Sequence, residues 1–295
     1  MRVLRWIGIV LGALLLVALI AAGTVYIMGG RALASTTTAA PTRTLTVPTD
    51  AAAVARGKHL VNHVNLCVDC HGDNLEGTVF IDDPQLGVIP APNLTAGKGG
   101  VGGPEMTDAK WINAITGGVG HDGRKLLIMP VKHYHGMTDA DLGAVIAYLK
   151  QAPPQDNELA PRKGGPLGRV LVALGMIPLE SDVAATLPAP VDIAPAVNAD
   201  YGAYLVEIGG CKGCHSDNLA GGTDPNGPHG PNITSTLVGA WSEDQFVNFI
   251  RTGTLPSGGN VSDEMPWKKY AGMDDMEIRA IFAYLQTTEA LPNNP

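Results

Sequence analysis

The sequence is poor in aromatic residues, in cysteine and in positive charge. Phe, Trp and Tyr together make up 5% of the 295 residues. A domain of about 100 residues with so few large apolar side chains has little material for a core of its own. The 20 basic residues are outnumbered by 28 acidic ones, and the net charge of −8 argues against a nucleic-acid partner. Because large apolar side chains are few, we expect a bound group to supply part of the core. Because the net charge is negative, we expect the partner to be neutral or cationic.

All four cysteines lie in two copies of one pentapeptide, Cys-x-x-Cys-His, at residues 67–71 and 211–215. Two thiols three positions apart can reach the two vinyl groups on one edge of a porphyrin, and the next imidazole then lies under the iron. This spacing predicts two covalently attached haems of the c type. The predicted attachment and axial residues are Cys67, Cys70 and His71 in the first copy, and Cys211, Cys214 and His215 in the second.

Two other uses of the cysteines are compatible with the Cys-x-x-Cys spacing. Four thiolates could bind a structural zinc ion, but such a site does not need a histidine directly after the second cysteine in both copies. Each pair could also close as a redox disulfide of the thioredoxin type, but neither motif has the required strand-to-helix context. Neither alternative accounts for the histidine, so we favour the haem interpretation.

An internal repeat extends well beyond these motifs, since residues 50–150 align with residues 199–287. A Pro-Asn-Leu/Ile-Thr turn, a tryptophan, a Met-Pro pair and an Ala-Tyr-Leu sequence follow each haem motif in the same order. The separation of equivalent residues falls from 144 at the cysteines to 139 at the Pro-Asn turn, which indicates loop deletion in the second copy. We conclude that the chain contains two homologous domains.

Each copy also carries a methionine suited to the sixth coordination position of iron. Met129 and Met265 lie 58 and 50 residues after the haem histidines, each before a proline in the loop ahead of the last helix. A thioether is a soft donor, and His/Met ligation raises the reduction potential. His133 and His135 are rival ligands, because a neutral imidazole binds haem iron well. They have no counterparts in the second copy, so we expect them at the surface near a haem edge.

The pattern of apolar residues and caps predicts a mainly helical fold. Helices are expected over residues 51–62, 108–116 and 138–149 in the first copy, and 200–207, 242–252 and 274–285 in the second. Gly57 and Gly202 fall inside the first helix of each copy, where glycine costs roughly 1 kcal/mol relative to alanine. Their recurrence indicates a close helix–helix contact in both domains.

Each half resembles a class I cytochrome c domain, from its first helix through the haem motif and Pro-Asn turn to the Met-Pro pair and final helix. The resemblance implies that the carbonyls of Pro92 and Pro231 accept a hydrogen bond from Nδ1–H of the haem histidines and so orient them. Pro231 follows a glycine as in the family, whereas Pro92 follows Ala91. The tandem pair is also similar to cytochrome subunits of periplasmic alcohol, aldehyde and gluconate dehydrogenases. Those subunits usually carry three haems, whereas this chain has motifs for two.

Residues 1–31 are predicted to form a transmembrane anchor. The stretch 6–28 carries no charge, and as a helix it is about 34 Å long, against roughly 30 Å of hydrocarbon. Arg2 and Arg5 precede it, which favours a single pass through the bacterial inner membrane with a cytoplasmic N-terminus. The haem domains would then lie in the periplasm or on the outer face of the membrane. The alternative is a cleaved signal peptide with Ala32-Leu33-Ala34 as its site, although its apolar region is usually roughly 7 to 15 residues long.

Five segments follow from these observations: the anchor, a flexible tether over 32–49, domain 1 over 50–152, a linker over 153–197 and domain 2 over 198–290. Within the linker, residues 166–176 are apolar but too few to cross a membrane. We expect them to pack in the groove between the two domains. The alternative is that they lie against the bilayer or a partner subunit.

Two classes of function remain. If both irons carry His and Met, no coordination site is open, and the protein is an electron carrier between a periplasmic donor, such as a dehydrogenase, and a respiratory-chain acceptor. The alternative is a dihaem enzyme of the peroxidase or thiosulfate-oxidising type with one open iron. The Met-Pro pair in both copies and the absence of a spare cysteine favour the carrier.

Overall fold

The computed structural model describes residues 1–38, 43–222 and 230–294. The chain begins with one long apolar helix, α1 (Arg2–Leu33), whose length and composition suffice to cross a membrane, although a signal sequence meets the same criteria. Residues 2–24 of α1 are all exposed, and Val25 is the first partly buried residue of the helix. The C-terminal end of α1 therefore belongs to the folded body.

Domain 1 is mainly helical and contains a short hairpin. Its helices are α2 (Ala51–His59), extended by a π-helical turn (Leu60–Val64), α3 (Cys67–His71), α4 (Asp108–Thr116), α5 (Val131–Tyr134) and α6 (Asp139–Leu149). The hairpin consists of β1 (Thr78–Asp83) and β2 (Gly87–Ala91). Side chains of Asp50, Thr107 and Thr138 accept backbone N–H groups at the starts of α2, α4 and α6, which fixes where these helices begin.

Domain 2 repeats the helices of domain 1 without the hairpin in its described part. After the linker helices α7 (Pro166–Ala173) and α8 (Glu180–Ala184), its helices are α9 (Ala199–Ile208), α10 (Cys211–His215), α11 (Glu243–Thr252), α12 (Trp267–Tyr270) and α13 (Asp275–Thr287). Ser242 with Gln245 and Asp274 with Glu277 form capping boxes that begin α11 and α13. The mainly helical fold and the two-domain organisation predicted from the repeat are confirmed.

The first and last helices of each domain cross with their backbones in contact. A Cβ atom on Gly57 of α2 would lie 1.9 Å from the carbonyl oxygen of Ala144 in α6. A Cβ atom on Gly202 of α9 would lie 1.9 Å from the carbonyl oxygen of Ala280 in α13. No side chain fits either place, so the close contact predicted from the two mid-helix glycines is confirmed in both domains.

The two domains meet through an ion network that buries a carboxylate completely. Glu277 of α13 has no exposed surface, and its oxygens lie 2.5 Å from Nη1 of Arg56 and 2.7 Å from Nε2 of His59. The guanidinium of Arg56 also bonds Asp141 of its own domain and the Tyr201 hydroxyl of domain 2. Because each partner is satisfied by the others, the network joins domain 1 to domain 2 at a fixed place.

The sheet and the tether differ from the sequence predictions. A third strand, β3 (Lys163–Gly164), pairs antiparallel with β2, and this sheet of order β1-β2-β3 was not predicted. Residues 39–42 of the predicted tether 32–49 lie outside the described residues. Its other parts pack on domain 1, since Thr36 forms a β-bridge with Arg124, and Leu45 and Val47 contact the apolar core. In these parts the tether is attached to the domain surface.

The apolar linker segment 166–176 does not occupy the groove between the domains. It forms α7, which packs against the C-terminal end of α1. Backbone N–H groups of Leu167 and Gly168 donate to the carbonyl of Gln85, ahead of β2, and hold α7 on domain 1. The expected packing between the domains is therefore wrong, because α1 and the hairpin together offer the segment a nearer apolar surface.

Candidate functional site

Each Cys-x-x-Cys-His motif forms one helical turn that starts from a left-handed residue. Leu66 before α3 has φ 51° and Gly210 before α10 has φ 68°, so the chain enters both turns in the same way. No disulfide joins any of these four cysteines, all of which lie in the described part of the chain. Burial raises the pKa of Cys67 and of Cys211 to about 12. Reactive redox cysteines have a lowered pKa, so these environments disagree with a thioredoxin-type disulfide.

A shared zinc site is equally unsupported. Within the part of the chain that the structure describes, one group of His, Cys, Asp and Glu brings its ligand atoms together, and it consists of His59, Asp274 and Glu277. The cysteines are not in it. Glu277 of this cluster forms an ion pair with the Arg56 guanidinium, so the cluster belongs to the contact between the two domains.

The histidine of each motif is buried and has a defined orientation. Nδ1 of His71 lies 2.8 Å from the carbonyl oxygen of Pro92, and Nδ1 of His215 lies 2.7 Å from that of Pro231. Burial lowers the pKa of both imidazoles, although the bonds to the proline carbonyls oppose this shift. A neutral imidazole that donates through Nδ1–H keeps the lone pair on Nε2 for a metal.

Ala91 and Gly230 stand at equivalent places beside these histidines. A Cβ atom on Gly230 would lie 2.6 Å from Nδ1 of His215, so a side chain is excluded there. Domain 1 has Ala91 at the end of β2, yet the bond between His71 and Pro92 is formed all the same. The departure from the family pattern in domain 1 thus leaves the contact intact.

A large apolar cavity of about 310 Å³ lies beside His71 in domain 1. Its lining brings together parts of the sequence that are far apart, including Cys67, Cys70, His71, Trp111 and Met129. The indole Nε1 of Trp111 is buried and has no hydrogen-bond partner among the described residues. An unpaired buried donor costs about 1–3 kcal/mol, so a bound group with an acceptor at this place would remove the penalty. The residues therefore fit a haem, which is flat, largely apolar and carries carboxylates.

The methionines of the first cavity differ in their packing. Met106, Met129 and Met137 all line it. Met106 and Met137 are 5% and 1% exposed and belong to the apolar core, whereas Met129 is only partly buried. Met265 of domain 2 is likewise a partly buried residue at the edge of the core, directly before α12. The two Met-Pro methionines thus share an environment that the other two do not.

Two tyrosines that the sequence analysis missed hold the methionine loops in place. The hydroxyl of Tyr134, at the end of α5, donates to the carbonyl of Asn65 just before the first haem motif. The hydroxyl of Tyr270, at the end of α12, donates to the carbonyl of Gly209 just before the second. Their equivalence at an offset of 136 residues was a signal present in the repeat. Each bond ties a Met-Pro loop to the haem motif of the same domain.

The linker adds a further support for the first methionine loop. Glu180 of α8 is 9% exposed, and its carboxylate faces the backbone N–H groups of Val131 and Ile128, on either side of Met129. Burial raises the pKa of Glu180 to about 7, although these two N–H groups oppose the shift. Ile128 itself has φ 65°, a conformation that needs such support. The spacing of residues in the sequence gave no sign of this role.

The prediction that His133 and His135 are surface residues is wrong. They are 9% and 6% exposed. Nδ1 of His133 lies 3.2 Å from the Glu207 carboxylate of domain 2, and Nδ1 of His135 lies 2.8 Å from the carbonyl of Thr116. His133 is buried because the second domain covers it. Such an arrangement depends on how the two domains meet, which the sequence of one loop does not contain.

The two haem motifs lie on facing sides of the domain contact. The side-chain amide of Asn65, before the first motif, donates to the carbonyl of Ile208, before the second, over 2.9 Å in a buried position. Two equivalent ion pairs also cross the domain contact. In each pair, a lysine that follows the Met-Pro loop of one domain contacts the aspartate two residues after the haem histidine of the other domain. The pairs are Lys132 with Asp217 and Lys269 with Asp73. The contact thus places the two sites next to each other.

Comparison with known proteins agrees with this organisation. The family described as cytochrome c matches residues 54–153, and the family described as cytochrome c oxidase, cbb3-type, subunit III matches residues 197–285. The cytochrome c subunit of quinone alcohol dehydrogenase from Gluconacetobacter polyoxogenes is 28% identical over 279 residues, covering 82% of this chain and 57% of the relative. The fructose dehydrogenase cytochrome subunit of Gluconobacter japonicus is 26% identical, covering 83% and 55%.

A third relative matches a smaller region. The gluconate 2-dehydrogenase cytochrome c subunit of Pantoea cypripedii is 34% identical over 94 residues, which cover 28% of this chain and 21% of the relative. The chain thus spans just over half the length of the two relatives that it matches along most of its own length.

Proposed function

We propose that the chain, which carries two cytochrome c-type domains in tandem, is an electron-transfer subunit and not itself an enzyme. Each domain binds one haem c, and the chain is homologous to cytochrome c subunits of quinone alcohol, fructose and gluconate dehydrogenases. The proposed donor is a dehydrogenase catalytic subunit, and the proposed acceptor is a component of the respiratory chain. The observation that carries the proposal is the pair of equivalently built sites on facing sides of one domain contact.

In this proposal the thiols of Cys67, Cys70, Cys211 and Cys214 attach the haems, and four side chains hold the irons. The axial pairs are His71 with Met129 and His215 with Met265. Pro92 and Pro231 supply the carbonyls that orient the two imidazoles. A haem with both axial positions filled by protein exchanges single electrons without binding a substrate. The chain's own part is to exclude water from the sites, fix the ligands and hold the domains together.

The alternative, a dihaem enzyme with one open iron, has no feature in its favour. Both domains carry a partly buried Met-Pro methionine next to a short helix. Both also tie that helix to the haem motif through a tyrosine hydroxyl. An enzyme would need the two sites to differ at the sixth position.

We propose that α1 is a retained anchor in the bacterial inner membrane, with the N-terminus in the cytoplasm and the haem domains in the periplasm. The end of α1 is built into the folded body, because Gly29 is buried against Arg169 and the carbonyl of Leu33 accepts a bond from Arg162. Cleavage after Ala34 would remove these contacts. Arg2 and Arg5 at the other end favour the stated orientation.

The ligand assignment predicts the outcome of Met265→His. Imidazole in place of the thioether should lower one of two reduction potentials, by a fraction of the roughly 0.8 V that axial ligands span. The other potential should stay where it is, because the sites belong to separate domains. A spectroelectrochemical titration of the membrane-bound protein measures both. The matched control is Met273→His, where the methionine is 3% exposed in the core and has no assigned ligand role. Unchanged potentials in Met265→His would contradict the assignment.

The donor class is tested in isolated membranes. Ethanol, fructose or gluconate added without a mediator should reduce the c-type α-band if the corresponding dehydrogenase feeds this chain. The control is membrane from a strain that lacks the gene for the chain. If the α-band responds to none of these compounds, while dithionite reduces it fully, then the donor is not an alcohol, fructose or gluconate dehydrogenase.

A further inference from the structure

The linker helix α7 and the turn after it expose an unusual amount of apolar surface. Leu167 is 44% exposed, Leu174 is 60% exposed and Met176 is 58% exposed. Gly175 between the last two has φ 70° and a turn conformation, so both large side chains stand at its tip. We call residues 166–176 the linker patch. Among the described residues nothing covers these three side chains, and water is a poor environment for so much apolar surface.

The linker patch is attached to the helix proposed to cross the membrane. The carbonyl oxygen of Arg169 occupies the place where a Cβ atom on Gly29 would lie, at a distance of 1.8 Å, so the two helices touch through their backbones. The Arg169 guanidinium lies over the Tyr26 ring, 4.8 Å from its centre. The backbone and the side chain of Arg169 thus both hold α7 against the last two turns of α1.

The length of α1 locates this contact relative to a bilayer. About 20 helical residues cross the roughly 30 Å of hydrocarbon. Counted from Trp6, the first residue of the uncharged stretch, they end near Val25, where α1 first becomes partly buried. Tyr26 then stands where aromatic residues collect at membrane surfaces. The patch therefore begins at the depth where hydrocarbon gives way to headgroups.

Three basic residues lie in α7 itself and in the neighbouring elements α1 and β3. Arg31 at the end of α1 and Lys163 in β3 are exposed, and Arg169 is partly exposed. Apolar side chains on one side with Lys and Arg on the other are typical of helices that lie in the plane of a membrane surface. Long basic side chains can keep their charges among lipid headgroups while their stems lie deeper.

We propose that the linker patch is a second membrane contact, with Leu167, Leu174 and Met176 in the outer leaflet of the bilayer that α1 crosses. This inference rests on the proposed anchor role of α1. Lipid is the occupant that the structure favours, because the patch is continuous with α1 at the depth where the hydrocarbon ends. A consequence is that domain 1 lies on the membrane surface, and that domain 2 is connected to the membrane through domain 1.

The test measures the surroundings of single positions in the full chain. A ketone-bearing amino acid, p-acetylphenylalanine, replaces Leu174 and carries a nitroxide, which leaves the four cysteines to the haems. The purified protein is reconstituted into vesicles of phosphatidylethanolamine and phosphatidylglycerol. Power-saturation EPR then compares collisions with oxygen, which concentrates in lipid, and with a nickel chelate, which stays in water. Leu14 in α1 and Leu237 in domain 2, 60% and 38% exposed, are labelled as references.

The proposal expects oxygen collisions to exceed nickel collisions several-fold at 174 and at 14, and the reverse at 237. A label at 176 should agree with the label at 174. If 174 and 176 behave like 237 while 14 behaves as lipid-exposed, the linker patch lies in water, and the inference is overturned with the anchor intact. If 14 is also exposed to water, the anchor proposal itself fails.

Discussion

Replacing Gly57 by alanine is expected to destabilise the protein by roughly 3 kcal/mol or more, although alanine is the better helix former. Helix propensity alone predicts a gain of about 1 kcal/mol from this change. The added Cβ atom, however, would lie 1.9 Å from the carbonyl oxygen of Ala144 and 2.9 Å from Cβ of Tyr148. Both are parts of α6 that cannot rotate away, so α2 and α6 must separate.

The measurement is the guanidinium unfolding midpoint of the detergent-solubilised protein, followed by far-ultraviolet circular dichroism. Gly202→Ala provides a second copy of the experiment in domain 2, where the Cβ atom would lie 1.9 Å from the carbonyl oxygen of Ala280. Gly103→Ala is the matched control, because a Cβ atom there meets nothing within 4 Å. Should Gly57→Ala match or exceed the control in stability, the direct backbone contact is incorrect.

Removing the charge of Arg56 is the second change with a large expected effect. Arg56→Met leaves the buried Glu277 with the imidazole of His59 as its remaining side-chain partner in the ion network, and the loss of one member of a buried ion pair typically costs about 3–5 kcal/mol. Arg279→Met is the control, because the pair of Arg279 with Glu243 is 31% and 42% exposed and such pairs contribute about 1 kcal/mol or less. Equal destabilisation by the two variants would show that the network does not hold the domains together.

The same ion network predicts that the stability of the fold decreases at acidic pH. Burial alone would raise the pKa of Glu277, but its bonds to His59 and Arg56 outweigh burial and lower the pKa from 4.5 to about 2. A carboxyl group with a lowered folded-state pKa stabilises the fold above its unfolded pKa, and this contribution is lost as pH falls. The loss should amount to about 3 kcal/mol between pH 4.5 and 2. The stability difference between the wild type and Glu277→Gln should shrink over this interval, and a constant difference would contradict the assignment.

The sequence predicted most of the features that occur in both domains. It predicted few of the contacts between distant segments. The first and last helices, the close contacts at Gly57 and Gly202, and the two haem domains all follow from local patterns that occur twice. The three-stranded sheet, the burial of His133 and the place of α7 depend on contacts between distant segments. His133 is buried by Glu207, which lies 74 residues away, and no periodicity encodes that pairing.

The residues of the candidate sites were likewise only partly predicted. The cysteines and histidines were found from their spacing, because thioether attachment needs adjacent residues. The supports of the methionine loops, Tyr134, Tyr270 and Glu180, were not found. They act through backbone groups of distant residues, and a hydrogen bond to a backbone carbonyl leaves no trace in the identity of the residue that accepts it. For the two tyrosines the repeat offered the only sign.

The most direct test of the central claim is an optical spectrum of the membrane-bound protein, oxidised and reduced, with a pyridine haemochrome count. The account predicts two c-type haems for each chain, both low-spin, with the weak near-infrared band of Met-to-iron coordination in the oxidised form. Carbon monoxide should leave the reduced spectrum unchanged. A high-spin fraction, or immediate binding of carbon monoxide, would mean that one iron is open and that the protein is a dihaem enzyme.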